Sequence, residues 1–386
     1  MSRRLKIALV STGLGRIRRG FESFTESLFL ELRRQAPELE VRLFQGGGCS
    51  SDKRHRIANL QRADAPARWF GEHRANLLEK RSFAIALYPR LRLGGFEVVH
   101  YNELVMGSSL WHLRRLFGGS FRLLYCNGAP SPPVHYHHRC DFAQMLTGPM
   151  YEEANAFGVA ESRLFLVPYA VDADLFRPGD EETRRATRNE LSIPQDAFVV
   201  LSVAAIKSEH KRIDYIIREV GRMRSDVWLL VAGQRTAETC SLERLADECL
   251  PSRWRFVSWP NSRVPALYGA ADAFALASSS EAFGMVVIEA LACELPVVLH
   301  DHPTFQWILG DELLRHSPRL NCLADLSSPG SLASRLQVWR SENGGLRNLA
   351  GRERVVKAFD WRALLPRYLE MYAAVCRHTR RQFPLC

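Results

Sequence analysis

Short apolar runs alternate with longer amphipathic stretches along nearly the whole chain. Continuous apolar segments at 6–12, 41–44, 96–100, 121–126, 197–203, 227–233, 255–257, 273–277 and 297–299 predict strands. The run at 197–203 is apolar enough to be buried on both faces of a parallel sheet. Between the strands, apolar residues return at helical spacing, as at Leu28, Leu30 and Leu32, at 264–268, and at Met285, Ile288, Leu291 and Ala292. Strand, helix, strand in this order predicts parallel crossover units and an α/β fold. Residues 69–91 mix Trp69, Phe70, Leu77 and Leu78 with Arg74, Lys80, Arg81 and Arg90. They predict a helix that faces the core with a charged outer side, or an amphipathic helix on an anionic membrane. The end of the chain, from 359 through Tyr368 and Tyr372, reads as helical, with Pro366 as the cause of a bend.

Length and charge sharpen this picture. At 386 residues the chain exceeds one ordinary core and predicts two domains. No run of ~18 apolar residues is present and the first residues lead straight into a strand, so neither a spanning helix nor a signal peptide is expected, and the predicted location is cytoplasmic. Nine scattered cysteines without a Cys-x-x-Cys pair predict reduced thiols. The net charge of +10 is uneven: residues 1–166 carry 24 Lys and Arg against 15 Asp and Glu, residues 167–386 carry 28 against 27. The basic first half predicts an anionic partner, either a membrane surface, a phosphorylated acceptor or nucleic acid. Nucleic acid is set aside because no recognisable binding motif accompanies the charge.

The densest chemistry lies at 278–299. Three serines end the strand at 273–277, Gly284 opens a helix, Pro296 closes it, and two carboxylates, Glu281 and Glu289, punctuate the unit. On one helix they would stand about 12 Å apart along the axis, too far to share a proton but comparable with the two ends of a nucleotide-sugar. Their plainer reading is a favourable charge near a helix start for Glu281 and a solvated helix position for Glu289. The first strand runs into Gly13-Leu14-Gly15, which invites comparison with a nicotinamide oxidoreductase. Position 18 is Arg18, however, and the second strand ends in Gln45-Gly46-Gly47-Gly48 with no acid to hold a ribose. The histidines His135, His137 and His138 follow the strand at 121–126 with a spacing that fits no standard metal motif, and no metal is expected.

Taken together, Glu281-x7-Glu289, Phe283-Gly284 after the first Glu and Pro296-Val297-Val298 after the helix resemble the donor-site motif of family 4 retaining glycosyltransferases of the GT-B fold. The resemblance implies two Rossmann-like domains facing a central cleft, with a C-terminal helix crossing back to the first domain. Residues 164–178 resemble the family's interdomain segment. This places an acceptor-binding domain at 1–166 plus about 367–386, and a donor-binding domain at 167–366. It implies Glu281 and Lys211 as catalytic residues. Glu289, Phe283, Gly284, Lys207, Gly233 and Gly20 would be donor contacts, and Asn127, His135 and His137 acceptor-side candidates. The partners implied are a nucleotide-sugar co-substrate, with no other cofactor, and a glycan, lipid-linked or small-molecule acceptor, with peripheral contact to the inner face of an anionic membrane through the basic half. Three departures keep a binding protein without turnover as a competing reading. Ala205 stands where the family has an Arg against the diphosphate, leaving Lys207 or Arg212 to compensate. Asn127 stands where many relatives have a His, and the glycine usually paired with Gly20 is missing.

Overall fold

The computed structural model describes residues 4–17, 20–62, 64, 69, 71–129, 131–342 and 345–377. Arg18, Arg19, Phe70, Pro130 and positions 378–386 of the expected last helix lie outside the described residues. The chain forms two compact units, Met1–Pro168 with Leu364–Cys386, and Tyr169–Ala363.

The first unit contains β1 (Lys6–Ser11), α1 (Gly20–Gln35), β2 (Glu40–Gln45), β3 (Arg54–Arg56), α2 (Glu72–Leu93), β4 (Val98–Tyr101), α3 (Leu104–Phe117), β5 (Arg122–Cys126), β6 (Phe142–Met145), α4 (Gly148–Ala156) and β7 (Leu164–Leu166). Its seven strands pair in the order β3-β2-β1-β4-β5-β6-β7, and every pairing is parallel. The register sets Ile7 beside Val41 on one side and Val98 on the other. The stretch at 69–91 is resolved in favour of the core: α2 buries Phe83, Ala84, Leu87, Tyr88 and Leu91 against Val99, Tyr101, Leu123 and Tyr125. The basic cluster near Arg54 is an edge strand rather than a free patch. Arg54 pairs with Glu26 at 2.7 Å and lies over the Phe29 ring.

The second unit contains α5 (Glu181–Glu190), β8 (Phe198–Val203), α6 (Ile213–Gly221), β9 (Val227–Ala232), α7 (Thr239–Cys249), β10 (Trp254–Val257), α8 (Val264–Ala270), β11 (Ala273–Leu276), α9 (Met285–Ala292), β12 (Val297–His300), α10 (Pro303–His316), β13 (Asn321–Ala324), α11 (Ser331–Ser341) and α12 (Leu349–Ala358). Six parallel strands pair in the order β10-β9-β8-β11-β12-β13. β9 is buried along its whole length, which explains its uninterrupted apolar run. Strand order reverses direction at β8 and β11, where an open α/β sheet offers a crevice beyond the strands' carboxyl ends. The last helix, α13 (Trp361–Arg377), contains Pro366 and from Leu364 belongs to the first unit. There Tyr372 meets His100 Nδ1 at 2.8 Å, and Tyr368 accepts from Gln144 at 3.0 Å.

A candidate donor site at the carboxyl ends of β8, β11 and β12

Three neighbouring strands deliver three neighbouring loops. The loop after β8 and the loop after β11 are joined by Ser279 N–H donating to the His210 carbonyl at 2.9 Å. The turn after β12 joins them at the start of α10, where Thr304 Oγ1 donates to the Glu281 carbonyl at 3.0 Å. Within this frame Lys211 Nζ forms an ion pair with Glu281 Oε1 across the first two loops. Two residues of the β8 loop, His210 (φ 60) and Arg212 (φ 53), hold left-handed backbone that side-chain-bearing residues adopt at some cost. That turn is what brings Lys211 round to Glu281.

The other basic residues of the loop are engaged elsewhere. Arg212 stacks over Tyr215, its guanidinium carbon 4.7 Å from the ring centre. Lys207 lies 3.4 Å from Glu209 Oε2. Ala205 therefore has a nearby cation in Lys207, whose present partner is an exposed glutamate.

Gly284 precedes α9 with φ 81, and a Cβ there would come within 2.9 Å of the Phe305 ring. A glycine is required on both counts. The first turn of α9 follows directly, close in sequence to Glu281; its Val287 N–H donates to the Gly284 carbonyl at 2.9 Å, and the N–H groups before it point out of the helix start. The Phe283 side chain is buried. Its ring packs against Tyr169 at 5.6 Å and Phe359 at 5.8 Å, so a direct contact with donor could come only from its backbone. The same cluster gives Tyr169 a purpose: it fills the aromatic pocket around Phe283.

Glu281 precedes α9 and Glu289 lies within it, so the two do not share a helix. Glu289 is not a solvated position either. Its Oε2 accepts from Tyr268 OH at 2.7 Å, and burial pushes its carboxyl up to about 7 against the opposing pull of that hydrogen bond. Tyr268 itself is fully buried between Phe176 and Phe274, which fixes its hydroxyl.

Gly233, at the carboxyl end of β9, has a packing reason of its own: a Cβ would stand 1.8 Å from the Ala204 carbonyl oxygen. Gly20 begins α1, where a Cβ would meet nothing within 4 Å. The Gly13-x-Gly15 turn is likewise explained by packing. Gly15 has φ 85 and lies against the backbone of Gly47 and Gly48, so close that a Cβ would sit 2.5 Å from Gly47 C.

The acceptor-side candidates belong to the first unit. Asn127 is buried and ties its own loop together, accepting from Tyr125 OH at 3.2 Å and donating to the Ser131 carbonyl at 3.3 Å. His137 Nδ1 meets the Pro133 carbonyl at 2.9 Å and its ring packs on Phe157. His135 is exposed. Among the described residues no cluster of His, Cys, Asp or Glu has the arrangement of a metal site.

Sequence reasoning passed over His302 and Tyr268. His302 Nδ1 accepts from Thr304 N–H at 3.2 Å, which makes Nε2 the protonated nitrogen of the neutral ring. Burial holds this imidazole below its ordinary range despite the pull of Glu281 and Asp301. The signal that could have found it was its place directly after β12, at the same sheet end as Glu281.

Residues 183–315 match the family described as Glycosyl transferases group 1. The matched segment lies wholly within the second unit. All three loops of the candidate site lie within it. A 148-residue part of the chain is 39% identical to D-inositol 3-phosphate glycosyltransferase of Mycobacterium tuberculosis (strain H37Rv), covering 36% of this chain and 30% of that protein. The matched stretch thus spans about a third of the curated relative. The fold as a whole is similar to sucrose-phosphate synthase from Thermosynechococcus elongatus, with TM-score 0.78 and 21% identity over 96% of this chain and 98% of that one. It is also similar to HepE from Anabaena, solved in complex with UDP and glucose, with TM-score 0.75 and 14% identity over 96% and 99%. The architecture, two parallel-sheet Rossmann-like units, is the GT-B fold. Among the described residues no helix is long and apolar enough to cross a membrane.

Proposed function

We propose that this protein is a retaining glycosyltransferase that moves a sugar from a nucleotide-sugar to an acceptor, with the donor held by the second unit. The observation that carries the reading is the Lys211–Glu281 pair on adjacent loops beside the first turn of α9. In the free protein the two charges satisfy each other. A donor diphosphate would draw Lys211 away and leave Glu281 to hold sugar hydroxyls, where its negative charge opposes the positive charge that develops at the anomeric carbon. The departing diphosphate would be met by Lys211 and the N–H groups of α9, with Lys207 replacing the cation absent at Ala205. This assignment of charge requires no catalytic metal. Glu289, oriented by Tyr268, would bind the ribose hydroxyls.

The acceptor falls to the first unit, whose excess of basic residues suits an anionic glycan, lipid or small molecule and a peripheral place at the inner face of a membrane. The free thiols among the described residues fit a cytoplasmic setting. Ala205 favours a second reading, a nucleotide-sugar-binding protein without turnover. A thermal-shift screen of nucleotide-sugars, followed by NMR assignment of the product anomer, tests both. Stabilisation by one nucleotide-sugar and a product with the donor's anomeric configuration are expected. Inversion would refute retention, and binding without product would favour the second reading. A ligand at 100 times its dissociation constant adds roughly 2.7 kcal/mol, well within reach of the screen.

A further inference from the structure

We propose that the C-terminal ends of α2 and α3 form a docking surface for an anionic lipid bilayer. Residues 80–96 and 104–140 contain no Asp or Glu. The last turns of α2, which carries Glu72 and Glu79 further back, and all of α3 lie in these stretches and end side by side: Tyr88 OH donates to the Gly118 carbonyl, and the Tyr88 ring lies 6.3 Å from the rings of Phe117 and Phe121. At these ends three large apolar side chains face solvent, Leu93 at 84%, Leu116 at 74% and Phe117 at 56% exposure. Arg92 and Arg115, both exposed, stand next to them in the sequence.

Three exposed apolar groups at one end of a two-helix pair are more than the scattered single residues any surface carries. Apolar tips flanked by guanidinium groups suit a bilayer interface. Leucine and phenylalanine can enter the acyl boundary while arginine stays among the headgroup phosphates. A nucleic acid would use the charge and leave the leucines exposed. The surface is the end of α2 and not its long face, which is turned into the core. It rests on the peripheral membrane placement proposed for the basic first unit and not on the transfer chemistry, so loss of vesicle binding with donor binding intact separates the two.

Vesicle flotation of the full chain tests the assignment. Binding is expected to vesicles containing phosphatidylglycerol, to be weak on pure phosphatidylcholine, and to fall with salt. Arg92→Gln with Arg115→Gln should lower partitioning by about fivefold per arginine. Leu93→Ser, Leu116→Ser and Phe117→Ser together should weaken binding at unchanged charge. All five positions are exposed, so circular dichroism should show a native fold. Absence of binding, equal binding to both vesicle types, or wild-type binding by either variant would overturn the proposal. A serine variant that releases heparin and vesicles equally would also overturn it, since the loss would then not concern the membrane.

Discussion

Two ion pairs sit at opposite ends of the second sheet and differ in how fully they are satisfied. At the amino end, Arg188 is buried and donates to the carbonyls of Ala270, Gln195 and Ala197 at 2.8–3.0 Å as well as to Asp272 at 2.8 Å. Asp272 accepts in addition from Arg184 at 2.5 Å and from Val199 N–H at 2.7 Å. At the carboxyl end, Lys211 and Glu281 meet each other, and among the described residues neither side chain makes a further hydrogen bond. A saturated pair has no capacity left for a ligand; a pair with spare lone pairs and N–H groups can change partner. This is why the cavity of about 520 Å³ at the amino end, lined by Arg184, Arg188, Arg340 and Arg347, is not read as the donor site. Arg340 and Arg347 are already matched as well, by Asp226 and Glu294.

The sharpest way to break the comparison is to remove a partner at each end. Arg188→Met removes one of the two guanidinium partners of Asp272 and takes the donor away from the carbonyls of Ala270, Gln195 and Ala197, and should cost roughly 3–5 kcal/mol of stability, read by urea unfolding of the second unit. Lys211→Ala should leave stability within about 1 kcal/mol, as expected for a part-exposed pair, yet lower turnover by about 100-fold if it supports the departing diphosphate. Similar unfolding losses for both variants would erase the distinction. Glu281→Gln keeps shape and hydrogen bonding while removing charge. It should depress kcat by about tenfold or more while changing the donor KM less.

The two ends were unequally legible in the sequence. Glu281, Gly284, Glu289 and Lys211 stand in a spacing that belongs to one local unit and its neighbour, so a pattern could find them. Arg188 lies in a charged stretch, 181–190, with no apolar stripe to mark a buried face; only its pairing with Asp272, just before β11, shows that it is buried. β6 was missed for a related reason. Its buried Gln144 interrupts the apolar run, and its partners, the Val167 carbonyl and Tyr368, are distant in sequence. Phe283 and Gly233 carry a second constraint that the motif does not display: packing against Phe359 and Ala204 accounts for the side chain of one and the lack of one at the other, whatever their backbones contact.

A finer test concerns Glu289. Its carboxyl is raised from 4.5 to about 7, so the folded protein keeps a proton that the unfolded chain releases in that window. The stabilisation this gives is complete below about 4.5 and is lost as pH rises through about 7. Glu289→Gln should therefore flatten this part of the stability profile, measured by melting temperature against pH. Ribose binding by the carboxylate should strengthen over the same window. Tyr268→Phe removes the hydrogen bond that lowers the Glu289 carboxyl, so the affinity midpoint should move to higher pH, with a loss of about 1.5–3 kcal/mol near neutrality. The smallest effect is expected from Ala205→Arg, a gain of a few-fold in diphosphate affinity on the order of 1 kcal/mol, absent if Lys207 already fills the position.

The central claim is that Lys211 and Glu281 form a corner where a diphosphate displaces one charge from the other. Isothermal titration of the matching nucleoside diphosphate into wild type and Lys211→Ala tests it without any acceptor. The account predicts that the variant, folded by circular dichroism, binds at least about tenfold more weakly, a charge-assisted contact of about 1.4 kcal/mol. Equal affinity in the two proteins would contradict it.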